Sequence, residues 1–471
     1  MVSPRVLLAS LALVLVLPDS ARAAAYTLEA RSEAQLYSFR SWRDGPNDRP
    51  TLIPRRRFVQ YLGLNAYELV PGQPVGFESS MRVFVDFGVP AEEAARIDGL
   101  RTAEADLMYA NIIYNGDIVT AKIGRQTYTD VMDFVAFDGA LVRISAPIAD
   151  GLLRLGGEAY VGLWVKGSSA IASSQYQPDG IRESDLRRVG NYEVLPYGAL
   201  DDIEPMFGFK FFAENFKGIG VSAGFRQAWL SGKTDLQRLA FEAKYLSAFG
   251  LNLLGAFEYD LILQRVSNAR AVARLDTNMF AFNVEYGRVS PVLSADSIFL
   301  YFSHMPRDTG RARVDWYPPG PFRFYGHALM DFYHLNINEN AALFSATTDP
   351  ALAAGFGFGA GGGVALKAGP VKAAGDVTFK TGYGGGQIWT DLSVGWVPQT
   401  LPVNVDFRFT WANLGDQLNP RLKGNFFGLQ LSGGYALTRT ARLSAAVEQN
   451  FNPFTRSDTK VFLLFDIKAN I

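Results

Sequence analysis

Residues 403–412 read V-N-V-D-F-R-F-T-W-A. Val403, Val405, Phe407, Phe409 and Trp411 fall on one side of an extended chain, and Asn404, Asp406, Arg408 and Thr410 on the other. Strand side chains alternate between two faces, so this is a strand with one apolar and one polar face. A helix would set Asp406 and Arg408 about 200° apart and scatter the aromatic rings around its surface.

The same period runs through the chain. Within 153–166, Leu153, Leu155, Ala159, Val161, Leu163 and Val165 oppose Arg154, Glu158, Tyr160 and Lys166. Leu239, Phe241, Ala243 and Tyr245 oppose Arg238, Glu242 and Lys244. Phe280, Phe282, Val284 and Tyr286 oppose Asn283 and Glu285. Phe322, Phe324, Ala328, Met330 and Phe332 oppose Arg323, His327 and Asp331. Most of these polar faces carry both signs of charge. In a soluble sandwich such a face points outward; in a membrane barrel it lines the interior, because hydrocarbon accepts only the apolar face.

Composition selects the membrane. Phe (35), Tyr (20) and Gly (46) are abundant, there is no Cys, and 45 basic residues balance 46 acidic ones. The charge balance argues against a nucleic-acid partner. Without cysteine there is no disulfide framework, no thiolate metal site and no lipoprotein processing. The chain is too polar for a helical membrane protein, and no apolar run of helical spanning length follows the N-terminal segment. That segment has a charge at Arg5, a short apolar run over 6–18 and Ala21-Arg22-Ala23, the pattern of a cleaved secretory signal. The expected organisation is a signal peptide over 1–25 and one barrel domain over 26–471.

Connections alternate between two kinds. Short turns are expected at 71–76, 115–116, 147–151, 216–218, 249–250, 290–292, 318–321, 368–370, 398–402 and 439–440. Asn115-Gly116 is the strongest hairpin signal among them. Mostly longer links are expected at 41–56, 89–101, 127–136, 167–203, 231–235, 264–275, 304–311, 334–353, 382–387, 413–424 and 451–458. Short periplasmic turns facing longer outer loops are the outer-membrane rule. The fold class is therefore all-β, a transmembrane antiparallel up-and-down barrel of 22 strands, from near Thr27 to near Asn470. The hairpin around 294–318 is weakly marked, so 18 or 20 strands are the alternatives. A plugged import barrel needs a folded domain's worth of extra chain, and none is expected before the first strand. Six tryptophans, Trp164, Trp229, Trp316, Trp389, Trp396 and Trp411, lie near predicted links and are expected to form interfacial girdles.

Lys122-Ile123-Gly124-Arg125-Gln126 ends one strand, and Phe137-Asp138-Gly139 with Leu141-Val142-Arg143 opens the next. This hairpin, about 25 residues, resembles the alginate-export and related porin-like outer-membrane families. The resemblance implies a lumen rich in arginine and lysine that passes an anionic polysaccharide, with Arg125 and Arg143 as lumen arginines. Alternation sets Arg143 opposite Val142 and Ile144, but Arg125 on the face of Val119, Ala121 and Ile123. The polar face here is also mixed in sign. The final segment, with Val461, Leu463, Phe465 and Ile467 on one face, resembles the signal read by barrel-assembly machinery, although it ends in Ile471 instead of an aromatic residue.

The candidate lining comprises Lys122, Arg143, Arg154, Glu158, Arg238, Glu242, Arg323, Asp331, Asp406 and Arg408. Opposite charges on neighbouring strands pair and hold the wall; charges along a water path also sort solutes. The link 167–203 carries Asp179, Arg182, Glu183, Asp185, Arg187 and Arg188 and either narrows the mouth or stays external. Gly357, Gly359 and Gly362 match G-x-G-x-x-G but lack a βαβ unit, so Phe356 and Phe358 outward with glycine inward is the better reading. Of the histidines, His327 sits in a strand with Asp331 two inward positions away, too little for a catalytic base. The chain is thus expected to be a bacterial outer-membrane channel, a porin or export pore for small solutes or polysaccharide, with no enzymatic activity and no cofactor. Its expected partners are outer-membrane lipid and lipopolysaccharide, the barrel-assembly machinery and the transported solute. The alternative is a structural or surface-receptor barrel plugged by its own side chains.

Overall fold

The computed structural model describes residues 25–41, 51–89, 103–132, 134–148, 151–165, 204–230, 232–290, 306–334, 355–382, 385–415, 423–453 and 457–470. Of the expected signal segment 1–25 only Ala25 is among them, and the whole 167–203 link lies outside them. Twenty-two antiparallel strands follow one another in chain order, from β1 (Ala25–Ser41) and β2 (Thr51–Tyr67) to β22 (Asp458–Asn470). Each pairs with the next, and β22 returns to β1 with Thr27 opposite Asn470 and Leu36 opposite Val461. Among the described strands closure leaves no unpaired edge, which is what a sheet in hydrocarbon requires.

The termini share one end of the barrel with ten connections, here the turn end; the other eleven connections form the loop end. The hairpin at Asn115-Gly116 closes as expected, with the Gly116 amide donating to Val119 O at 2.9 Å. The count of 22 agrees with the sequence, but two assignments within it do not. The expected link 264–275 is a strand, β12 (Arg265–Asp276), between β11 (Leu251–Asp260) and β13 (Phe280–Val289). Its outward residues are Ala269, Ala271 and Ala273, set between Arg270 and Arg274, so its apolar face is too thin to stand out in the sequence. The strand expected between 292 and 304 lies outside the described residues, and β13 pairs directly with β14 (Arg307–Trp316). The short turn expected at 290–292 accordingly belongs to a loop-end connection spanning 290–306.

The apolar face is the exposed one. Phe407 in β19 (Val403–Gly415), Phe241 in β10 (Lys233–Leu246) and Val161 in β7 (Leu153–Trp164) are all large and exposed, as are Phe356 and Phe358 in β16 (Phe356–Ala368). A band of such residues around a closed wall is a lipid-facing surface. Trp316 and Trp396 sit on that face at the turn end, and Trp229 and Trp411 toward the loop end, as two girdles. Trp164 and Trp389 do not join them. Trp164 lies opposite Phe137, and Trp389 opposite Thr378, on the inner face. Their nearness to links suggested a girdle, but alternation within their strands turns them inward.

Candidate pore lining

The pairing registers place Lys122, Arg143, Arg154, Glu158, Arg238, Glu242, Arg323, Asp331, Asp406 and Arg408 on the face opposite the lipid belt. Most are held by charge. Arg143 in β6 (Phe134–Ile148) lies directly opposite Glu158, with Nη1 and Oε1 3.3 Å apart. Tyr128 of β5 (Val119–Thr129) donates its hydroxyl to the same carboxylate at 2.6 Å. Lys122 reaches Glu78 at 3.4 Å, Arg238 reaches Glu258 at 3.1 Å, and Arg408 reaches Asp391 at 2.9 Å. Arg323 lies 3.7 Å from Asp315, which is held more closely by Arg313 at 2.8 Å. Asp331 takes both Arg307 and Lys380. Asp406 accepts from the Asn404 amide at 3.1 Å.

A glycine strip makes several of these contacts possible. The inward positions of β16 include Gly357, Gly359, Gly361 and Gly363, facing β15 (Phe322–Tyr333) on one side and β17 (Val371–Gly382) on the other. With no side chain between them, groups on β15 and β17 meet over β16: Lys380 with Asp331, and His327 Nε2 with Thr378 Oγ1 at 3.0 Å. A Cβ at Gly361 would stand 2.7 Å from both His327 Nε2 and Thr378 Oγ1, and one at Gly363 2.5 Å from the Tyr325 hydroxyl. Tyr325 and His327 therefore lie flat along the wall, and the Arg313 guanidinium stacks 4.0 Å above the Tyr325 ring.

His327 thus bonds to Thr378, while Asp331 is engaged by two cations, so the two do not form an acid–base pair. A His–Asp contact does occur, His334 to Asp308 at 2.6 Å, but register places Asp308 on the outward face beside Arg288.

The inner surface is asymmetric. Against β8 (Pro205–Phe216) and β9 (Ile219–Leu230), Val135, Phe137, Leu141, Tyr160, Met206, Ala228 and Leu236 pack into an apolar cluster. The connection after β5 bends onto it. Asp130 meets Arg226 at 3.0 Å with both side chains almost wholly buried, and Arg226 Nε donates to the Tyr160 hydroxyl at 2.8 Å. On the far side, from β12 to β19, inward arginines stay accessible: Arg270, Arg274 and Arg408 each keep more than half of their side-chain surface. Arg270 and Arg274 were missed in the sequence because β12 was read as a link.

Arg125, which the family resemblance made a lumen arginine, faces outward. It forms a two-pronged pair with Asp138, Nε to Oδ1 and Nη2 to Oδ2 both at 2.8 Å. Register sets Asp138 on the lipid-facing side with Val142 and Ile144. Part of this hairpin's charge thus serves the wall itself. Gly124 has φ +124°, and a Cβ there would stand 2.3 Å from Ala110 O, so only glycine fits that close approach.

A closed 22-stranded barrel with a lipid-facing apolar belt and a charged interior defines the class: this is an outer-membrane β-barrel. No family model matches the sequence, and no curated protein matches it. Among solved structures, the siderophore receptor PirA from Pseudomonas aeruginosa is similar over 94% of this chain and 80% of its own, with 8% identity and a TM-score of 0.50. The outer membrane protein opdK from Pseudomonas aeruginosa is similar over 95% of this chain and 99% of its own, with 11% identity and a TM-score of 0.41. OccAB2 from Acinetobacter baumannii covers 95% of this chain and 98% of its own, with 8% identity and a TM-score of 0.43. At these identities the likeness is one of fold.

Proposed function

We propose that the protein is a passive outer-membrane channel that passes small solutes or polysaccharide through its polar interior, without enzymatic activity. The observation that carries this reading is the accessibility of inward charge. Arg270, Arg274 and Arg408 are 55%, 52% and 59% exposed in a closed wall whose other face meets lipid. Guanidinium groups hold such positions where water reaches them. The path runs along β12 to β19, beside the packed β6–β10 side, and of the ten residues singled out from sequence Arg323, Asp331, Asp406 and Arg408 lie along it. Neighbouring charges of opposite sign leave a mixed field, which suits weak discrimination between small ions.

Alginate as cargo, which the hairpin resemblance implies, gains nothing from Arg125, since that residue points to lipid. A barrel closed by its own side chains is the second reading, and the apolar cluster on β6 to β10 favours it. Purified protein in planar bilayers separates the two. Open single-channel steps support the channel; silence from correctly folded protein supports the closed barrel.

A further inference from the structure

We infer that the turn end of the lumen carries a binding site for solutes bearing two or more oxyanions, carboxylate or phosphate. The site is an inward basin of about 690 Å3 on β15 to β20 (Lys423–Ala436), by way of β18 (Gly386–Trp396). That volume lies within the range of pockets that enclose small organic ligands. The inference rests on the channel reading in one respect, that water fills the lumen at this depth.

Its floor is made of small residues. Ala365, Ala374, Ser393 and Gly395 take the inward positions of three adjacent strands, so the wall recedes there. Its rim is cationic. Arg323 stands on one side and Arg408 on the other, with Lys367 and Lys372 at the turn end. Among the described residues the one carboxylate that lines it is Asp406, which accepts from Asn404.

The two lysines carry the argument. Lys367 and Lys372 are directly opposite each other across the tight turn at 369–370, and both point into the basin. Like charges facing each other across a ladder destabilise a sheet. Among the described residues neither lysine has a carboxylate within salt-bridge distance, whereas most other inward cations do. Arg408 keeps 59% of its side chain accessible despite its bond to Asp391, and Arg323 is held loosely at 3.7 Å. Four cations with spare donors converge on a hollow floored by Ala, Ser and Gly. Ammonium and guanidinium groups donate charge-assisted bonds to oxyanions, and a solute with two such groups spans the lysine pair and one arginine at once.

The test is isothermal titration of the full-length barrel in detergent micelles with citrate, and separately with pyrophosphate, using sucrose as the neutral control. Citrate or pyrophosphate binds and sucrose does not; whichever binds more tightly identifies carboxylate or phosphate as the favoured oxyanion. The Lys367→Gln/Lys372→Gln double variant binds about tenfold more weakly or worse, as expected for two lost charge-assisted contacts. It should fold at least as well as the parent, because the like-charge pair is gone. Lys367→Arg/Lys372→Arg restores binding, and Lys460→Gln, on the inner face outside the basin, leaves it unchanged. Absence of binding by the parent, or equal binding by the Gln double variant, overturns the site. Conductance of the same proteins reads the channel separately: open steps without binding sink the basin alone, and binding without open steps sinks the channel alone.

Discussion

Arg226 offers a direct test of the packed side of the lumen. Its guanidinium has no accessible surface, and it holds the almost fully buried Asp130 at 3.0 Å and the Tyr160 hydroxyl at 2.8 Å. Arg226→Leu takes a buried cationic partner from the Asp130 carboxylate, which also accepts from the Met132 backbone amide at 2.9 Å. Removing one partner of a buried ion pair costs about 3–5 kcal/mol, most of it the penalty of the charge left behind. Asp130→Asn removes the charge that the buried guanidinium meets and loses a similar amount. The double variant, Asp130→Asn with Arg226→Leu, removes both halves of the pair at once, so it loses less than the two single losses together, with a coupling of about 1–3 kcal/mol. The assay is reversible urea unfolding from phospholipid vesicles followed by tryptophan fluorescence, with free energies from linear extrapolation. Single variants within about 0.5 kcal/mol of the parent, or strictly additive losses, would refute the idea that this pair clamps the β5–β6 connection to the wall.

Other outcomes follow from the same geometry. Phe407→Arg on the lipid face should cost about 2–4 kcal/mol if near the bilayer midplane, whereas Asp406→Asn on the inner face should fold normally; vesicle unfolding of both reads this, and equal losses would mean the faces are misassigned. Arg270→Glu/Arg274→Glu/Arg408→Glu should shift the reversal potential toward cations, most strongly at low salt where the Debye length is about 30 Å at 0.01 M; an unchanged potential in a conducting variant removes these residues from the path. Gly361→Val should cost about 1–3 kcal/mol, since its Cβ would stand 2.4 Å from Val377 O and 2.7 Å from His327, while Gly255→Ala, with nothing within 4 Å, should be neutral in the same unfolding assay.

The architecture was legible because lipid imposes a two-residue period wherever outward residues are large. Val403 to Trp411 and Phe322 to Phe332 announce their strands and their faces without help. β12 does not, because its outward positions are alanines and its inward ones are arginines, the composition of a polar link. The strand count still came to 22, since a strand missed at β12 was replaced by one expected between 292 and 304. Inward direction was legible residue by residue, as Arg143, Glu158 and Arg408 illustrate. What lies beside each residue was not. That Lys380 crosses a glycine strip to Asp331, that Asp130 folds inward to Arg226, and that Lys367 faces Lys372 over a receding floor all depend on register between strands. Register is fixed by pairing across the sheet, which one strand's periodicity does not encode. Arg125 shows the converse: alternation alone placed it on the lipid side, where Asp138 neutralises it.

In the proposed channel, water and solute pass along the inner face of β12 to β19. The chain has no cysteine, so single cysteines introduce reactive thiols without background. Arg408→Cys and Phe407→Cys are adjacent in sequence and opposite in direction. Each is reconstituted in a planar bilayer and exposed to a bulky, charged, membrane-impermeant thiol reagent. The expected result is a stepwise, irreversible fall in single-channel current for Arg408→Cys and no change for Phe407→Cys. A current that is insensitive at Arg408→Cys, or that falls equally at both positions, would contradict it.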